Sequence, residues 1–271
     1  MSTTKKIYFT LRIAMAMCFI GHGAFGIITK EIWCNYFGVF GIGTGLSYRL
    51  MPVVGLVDIV MGIAVLLYPM RILAVWLVIW GLFTALLRPL SGEPFAEFIE
   101  RAGNYGTPLA LLILTGSASS NMKDLFAPMS ADVQPDSTRL KYVALCLKVS
   151  VFLLLAGHGW LNLIEKQSLL DQYGSIGFAQ PEHVAKVVGI FEVAAAFFSL
   201  SGIFPGLLFI IFIWKVASEA FYPSYALFEW IERGGSYGCI LALWFVSKKS
   251  NIKDYFDPGV LFNLFHTKKI S

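Results

Sequence analysis

The sequence predicts an all-α fold: a polytopic membrane protein with about eight transmembrane helices, arranged as two four-helix repeats of the same orientation. Hydrophobic residues make up 57% of the 271 residues and charged residues only 14%, which leaves too little polar surface for a water-soluble fold. Several apolar runs approach the ~20 residues that a helix needs to cross a bilayer. Three motifs of the first half also return in the second half in the same order.

The apolar runs predict the helices in chain order. The first run follows a basic start and is long enough to span. Because no small-residue cleavage pattern follows it, we interpret it as a retained helix and not as a signal peptide. The polar, proline-containing stretch before the fifth run predicts an exposed connection. The runs lie at about 7–28, 50–69, 71–90, 104–119, 141–164, 184–204, 205–221 and 234–247.

Internal repetition divides the chain. The separation between matched copies drifts by only a few residues, which indicates a tandem duplication. We therefore expect a first four-helix repeat at 1–120, a polar cytoplasmic linker at 121–139, a second four-helix repeat at 140–250 and a cytoplasmic tail at 251–271. The matched motifs are GHG at 21–23 and 157–159, VVGLVDIVMGI at 53–63 and VVGIFEVAAAF at 187–197, and EFIERAGNYG at 97–106 and EWIERGGSYG at 229–238.

The distribution of lysine and arginine predicts the orientation. More of these residues flank the side that holds both chain ends, so we expect both termini in the cytoplasm. Four spans return the chain to its starting side, and the two repeats are then related by a pseudo-two-fold axis along the membrane normal. The protein is thus expected to be an integral, multi-pass protein in contact with the lipid bilayer, in the inner membrane if its source is bacterial.

Charge and cysteine usage exclude two kinds of partner. The net charge of +4 is spread over the segment ends and forms no basic patch with interleaved aromatic residues, so no nucleic-acid partner is expected. The four cysteines show neither a C-x-x-C pair nor zinc-ligand spacing, so no metal site is expected.

Polar residues recur at matching depths in the predicted helices. His22 lies roughly 9 Å from the outer end of its helix and Asp58 roughly 12 Å into the next, and His158 and Glu192 repeat these depths. Ionisable groups inside a bilayer are costly and therefore mark candidate functional sites. The candidates for ligand binding or proton relay are His22, Asp58, Arg88, Arg101, Tyr105, His158, Glu192, Glu219, Arg233 and Tyr237.

A structural interpretation stands beside the functional one. The two histidine–carboxylate pairs could simply lock neighbouring helices together in each half. The Glu-Arg steps at 100–101 and 232–233 are interpreted as interfacial helix starts whose side chains snorkel to water. Glycines beside each histidine would let another helix, or a flat ligand, approach the backbone closely.

With GHG on the first helix, an acidic residue on the second and ERxGxYG before the fourth, each half resembles the DoxX-like family. Those are four-helix membrane proteins, some of which are linked to quinone-dependent oxidation of thiosulfate or to other redox partners. The resemblance covers about residues 7–119 and 141–247, in two copies, and the duplication departs from the usual single-unit form. It implies the four-helix fold and a redox association.

Three functions are compatible with these features, and whether the protein is an enzyme stays open. In the first, a redox-associated membrane protein binds a quinone or another lipophilic small molecule in a polar layer near the outer leaflet, with a redox partner protein. Its histidine–acid pairs relay protons, and Arg101 and Arg233 stabilise developing negative charge. The second is a non-enzymatic transporter, binding or assembly protein. The third is b-type haem ligation by His22 and His158, against which the neighbouring carboxylates weigh.

Overall fold

The computed structural model describes residues 1–116, 122–201, 205–223 and 226–249, and over these ranges the predicted all-α class is confirmed. The predicted tail at 251–271 lies outside the described residues, as do the ends of the runs at 104–119 and 184–204. The helices are α1 Thr3–Ile27, α2 Trp33–Gly38, α3 Thr44–Leu67, α4 Arg71–Leu90, α5 Ala96–Glu100, α6 Ala102–Thr115, α7 Lys123–Phe126, α8 Ser137–Leu163, α9 Gln167–Ser175, α10 Pro181–Ser201, α11 Pro205–Ser218, α12 Ala226–Glu232 and α13 Gly234–Lys249, with a 3-10 turn at Glu219–Phe221.

Among the described residues, five helices are long and apolar enough to cross a membrane: α1, α3, α4, α8 and α10. Each begins within a few residues of a predicted run. Their outward faces carry large exposed hydrophobic side chains such as Val53 and Val60 on α3, which suits contact with lipid tails. The other three predicted runs coincide with α6, α11 and α13, which have 14, 14 and 16 described residues and are shorter than a typical span.

Glycines set the distance between the paired helices. α1 packs against α3 and α8 packs against α10. A Cβ atom on Gly23 would lie 2.7 Å from Ile59 of α3, and a Cβ atom on Gly159 would lie 2.9 Å from the Gly189 carbonyl oxygen of α10. Because such distances are shorter than van der Waals contact, the two crossings need a residue without a side chain. The histidine beside each glycine is thereby brought close to the neighbouring helix.

The two connections that follow α1 and α8 have the same backbone geometry. Thr29 and Glu165 both adopt a φ of 55°, and Gly41 and Gly177 both adopt positive φ angles. The backbone amides of Lys30 and Lys166 each donate to the carbonyl oxygen five residues earlier in the chain. The two segments therefore align without a gap from the GHG motif to the second glycine turn, and this alignment pairs Trp33 with Leu169.

The stretch predicted as an exposed linker is partly packed against the bundle. α8 begins at Ser137, inside the predicted 121–139 range, because the Asp136 side chain accepts a hydrogen bond from the Arg139 amide at 2.7 Å. Met129 is buried, and the Tyr8 hydroxyl donates to its carbonyl oxygen at 2.8 Å. The other described residues of the stretch are exposed or half-buried, as expected of a connection, and local capping and one buried apolar side chain hold it to the helices.

Candidate functional site

Each half contains a histidine in contact with the acidic residue of the next long helix. His22 Nδ1 lies 2.7 Å from Asp58 Oδ2, and His158 Nδ1 contacts Glu192 Oε2. Asp58 and Glu192 are both buried, and His158 is more enclosed than His22. A carboxylate at Nδ1 holds a proton there and leaves Nε2 for another partner, such as a ligand. The structure thus brings together both pairs that the sequence had put at equal depth.

The Glu-Arg steps form a buried ionic layer. A helix begins directly after each step, as expected, but the interpretation that their side chains snorkel to water was wrong. Arg101 Nη1 lies 2.6 Å from Glu97 Oε2 and 2.7 Å from Glu100 Oε2. Arg88 Nη1 reaches the same Glu97 oxygen at 3.3 Å. Glu97 is 0% exposed and Glu100 3%, because the end of α5 is covered by α8. The guanidinium charges are therefore already matched by carboxylates.

The ionic layer joins the two halves through reciprocal pairs. Lys166, after α8, binds Glu97 of the first half. In the corresponding pair, Lys30, which follows α1, lies 2.5 Å from Glu229 of the second half. Arg233 of the second half binds Glu100 of the first. Each half therefore supplies a cation to an acid of the other half, as expected when equivalent surfaces face each other across a two-fold axis.

Charge pairing keeps the acids of α5 ionised. Burial by itself would raise the pKa of Glu97, but the neighbouring charges of Arg101, Arg88 and Lys166 outweigh it and lower the pKa to about 2. For Glu100, burial is likewise opposed by Arg233 and Arg101, and the pKa falls well below its usual range. Both carboxylates are accordingly charged at neutral pH and act as fixed anions of the layer.

The second half adds a lysine and a second acid to its histidine–glutamate pair. Lys215 Nζ lies 2.6 Å from Glu219 Oε1 and 3.4 Å from Glu192 Oε1. His158 Nε2 lies 3.8 Å from Glu219 Oε1. The Trp214 indole N–H donates to Glu192 at 3.3 Å. His158, Glu192, Lys215 and Glu219 thus form one buried cluster of alternating charge, which we call the second-half cluster.

A cavity of about 300 Å³ lies against the second-half cluster. Its polar lining consists of His158, Glu192 and Glu219 of the cluster together with Gln172 and Ser218. The other walls are apolar and aromatic, with Tyr173 and Trp214 inside and the half-exposed Ile176, Phe178 and Phe221 at the rim. An apolar cleft with a few convergent polar groups is typical of a small-molecule site, and this volume is at the lower end of the usual range. The exposed apolar rim suits a ligand that enters from the lipid side.

A hydrogen-bonded side chain orients the helix turn that carries His158. The Tyr173 hydroxyl donates to Asn162 Oδ1 at 2.6 Å, and Asn162 Nδ2 donates to the His158 carbonyl oxygen at 3.0 Å. Asn162, Tyr173 and Glu97 were not predicted from the sequence. The recurrence of lysine at 30 and 166, and of glutamate at 97 and 229, was the available signal for the ionic layer, whereas nothing in the sequence pattern singled out Asn162.

The remaining candidates lie away from the cavity. Tyr105 stacks on Phe98 with ring centroids 5.9 Å apart and lines a groove between α6 and α8. Tyr237 packs beside Trp230, and its buried hydroxyl has no hydrogen-bond partner among the described residues. His22 and His158 occupy separate sites, each engaged by the acid of its own half, an arrangement that does not support a haem shared between them.

The fold and the site together define a class, an α-helical membrane protein with a buried ionic layer and a cavity walled by aromatic and ionisable side chains. In comparisons with known proteins, no family, curated protein or solved structure matches the chain.

Proposed function

We propose that this protein is a DoxX-like integral membrane protein that binds a quinone or a similar lipophilic small molecule in the cavity of its second half, in association with a redox partner protein. The observation that carries the proposal is the buried second-half cluster at the wall of a largely apolar cavity with an exposed apolar rim. An apolar ring gains free energy from leaving the membrane interface for such walls, and its polar oxygens need the hydrogen bonds that the cluster offers.

The cluster has the groups that quinone chemistry requires. Reduction of a quinone by two electrons takes up two protons and gives the quinol, and the electrons would come from the partner protein. His158 can pass a proton through Nε2, while Glu192 at Nδ1 stabilises the imidazolium that forms. Lys215 does not itself line the cavity, but it lies 3.4 Å from Glu192 and compensates the charge of that acid. Arg101 and Arg233 act through the ionic layer and hold the helices that carry the cluster.

The same proposal includes eight spans in two tandem units of equal orientation. Its support is the reciprocal ion pairing between the halves, the matching backbone of the two connections after α1 and α8, and the packing of α6 and α13 against α1. The shorter helices also carry exposed apolar side chains, such as Leu109 on α6 and Ile210 on α11. These suit contact with lipid in the same way as those of the five longer helices.

The number of spans can be tested by finding on which side of the membrane each end of the chain lies. Eight spans put both termini on the cytoplasmic side, whereas an odd number such as five would separate them. We expect single reporter cysteines, introduced at residue 2 and at residue 270 of a variant lacking the four native cysteines, to be labelled by a membrane-impermeant maleimide only after the membrane is opened. Labelling of one terminus in intact cells would contradict the eight-span topology.

Ligand binding is testable with a matched pair of acid variants. We expect Glu192→Gln to weaken binding of the probe 2-methyl-1,4-naphthoquinone to protein in nanodiscs by about tenfold to a hundredfold. The reason is that His158 loses its charged hydrogen-bond partner, and loss of a hydrogen bond to a charged group costs about 1.5–3 kcal/mol. The first-half equivalent, Asp58→Asn, is the control and is expected to bind as the wild type does. Equal affinity of all three proteins, or no binding by the wild type, would contradict the proposed function.

A further inference from the structure

The two histidine sites differ in what covers the imidazole. In the first half, the indole of Trp33 lies over His22, with ring centroids 4.7 Å apart and the planes tilted by 33°. Trp33 is 6% exposed and packs with Phe25, Tyr36 and Met51. The gap-free alignment puts Leu169 at the corresponding position of the second half, where a branched aliphatic side chain replaces the large planar ring.

The neighbours of Trp33 correspond to residues that line the second-half cavity. Tyr36 and Val54 pack in the Trp33 cluster. Their counterparts by alignment are Gln172 and Val188, and both line the cavity together with His158. The indole of Trp33 therefore lies on the histidine in the first half, whereas in the second half the counterparts of its neighbours line a cavity that also reaches His158.

Two charged groups of the second-half cluster, Lys215 and Glu219, have no charged counterpart in the first half. α4 and α11 align from their first residues, and this pairing places Trp80 and Trp214 in register. Lys215 and Glu219 then correspond to Gly81 and Ala85, which have no side chain able to bond a ligand. The half that carries the ring of Trp33 thus lacks the extra polar groups, and the half that carries those groups lacks the ring.

We propose that the indole of Trp33 is a built-in occupant of the first-half site and marks where the planar ring of the ligand lies over His158 in the second half. The chain then binds one ligand, and the ligand class is a planar ring system of about the size of an indole or a naphthoquinone with a hydrogen-bonding substituent. The assignment of a quinone rests on the proposed function, whereas the ring position and the stoichiometry of one rest on Trp33 and Leu169.

The test counts bound ligands in variants that exchange these two residues. Protein in nanodiscs is titrated with 2-methyl-1,4-naphthoquinone and, separately, with indole, which is the ring of Trp33 itself. We expect the wild type to bind one equivalent of ligand, Trp33→Ala to bind two and Leu169→Trp to bind none. Trp33→Phe keeps a planar ring over His22 and is the matched control, expected to bind one.

The two probes separate this inference from the proposed function. If the naphthoquinone does not bind the wild type but indole binds with the expected one, two and zero equivalents, the quinone assignment fails and the ring position stands. If Trp33→Ala binds the same number of indole molecules as the wild type, the inference is overturned. Should Trp33→Ala fail to fold, as judged by its thermal transition, Leu169→Trp decides: retention of one bound indole overturns the inference.

Discussion

Glutamine in place of Glu100 is expected to destabilise the folded protein by about 3–5 kcal/mol, the usual cost of breaking a buried ion pair by removing one partner. Glu100 binds arginines of both halves, Arg101 at 2.7 Å and Arg233 through its other oxygen. A neutral amide would leave these two buried guanidinium groups without one of their counter-charges. The loss in the free energy of unfolding is measured by steric trapping in bicelles. We expect the temperature of the thermal unfolding transition to fall as well.

A surface ion pair of the same chain provides the control for that measurement. Glu165 pairs with Lys186 at 2.9 Å, and their side chains are 36% and 58% exposed. Because water and salt screen such a pair, Glu165→Gln is expected to cost less than about 1 kcal/mol. Equal losses in Glu100→Gln and Glu165→Gln would show that the ionic layer does not hold the two halves together.

Alanine at position 157 is expected to have the second large effect on stability, a loss of about 3 kcal/mol, at the upper end of the usual cost of overpacking. A Cβ atom on Gly157 would lie 2.7 Å from the Glu100 Cα atom, and this neighbour is backbone that cannot rotate away. The end of α5 would have to move from α8, and Glu100 would then lose its alignment with Arg233. The change also displaces the turn that carries His158, so weaker ligand binding is expected as well.

Gly206 serves as the matched glycine for this experiment. It lies in α11, and a Cβ atom built on it would meet nothing within 4 Å. Gly206→Ala is therefore expected to leave the thermal transition unchanged or slightly raised, since alanine has the higher helix propensity. A Gly157→Ala protein as stable as Gly206→Ala would contradict the close packing of α8 on α5.

The ionic layer connects the stability of the interface to the cavity. Arg233, which binds Glu100 across the interface, lies 3.9 Å from Glu219 of the second-half cluster. Its Nη2 atom also donates to the Tyr222 hydroxyl at 3.1 Å. The charges that hold the halves together therefore also hold an acid at the cavity wall. For this reason, ligand affinity should also be measured in the variants that destabilise the ionic layer.

The sequence alone determined the helical class and its apolar, membrane-like helices, because apolar run length acts along one chain segment at a time. It also exposed the repeated motifs, from which Asp58 and Glu192 emerged as partners of the histidines. Local patterns of this kind need no knowledge of how distant segments meet.

Only the tertiary structure decided what surrounds those pairs. Burial of the Glu-Arg steps depends on helices of the opposite half covering them, and so does the exchange of Lys30 and Lys166 between the halves. The sequence could not distinguish a snorkelling arginine from a buried one, because both occur at the end of a short helix. Likewise, the contact of the Trp33 indole with His22 and the cavity beside His158 depend on how side chains pack in three dimensions, which no linear pattern records.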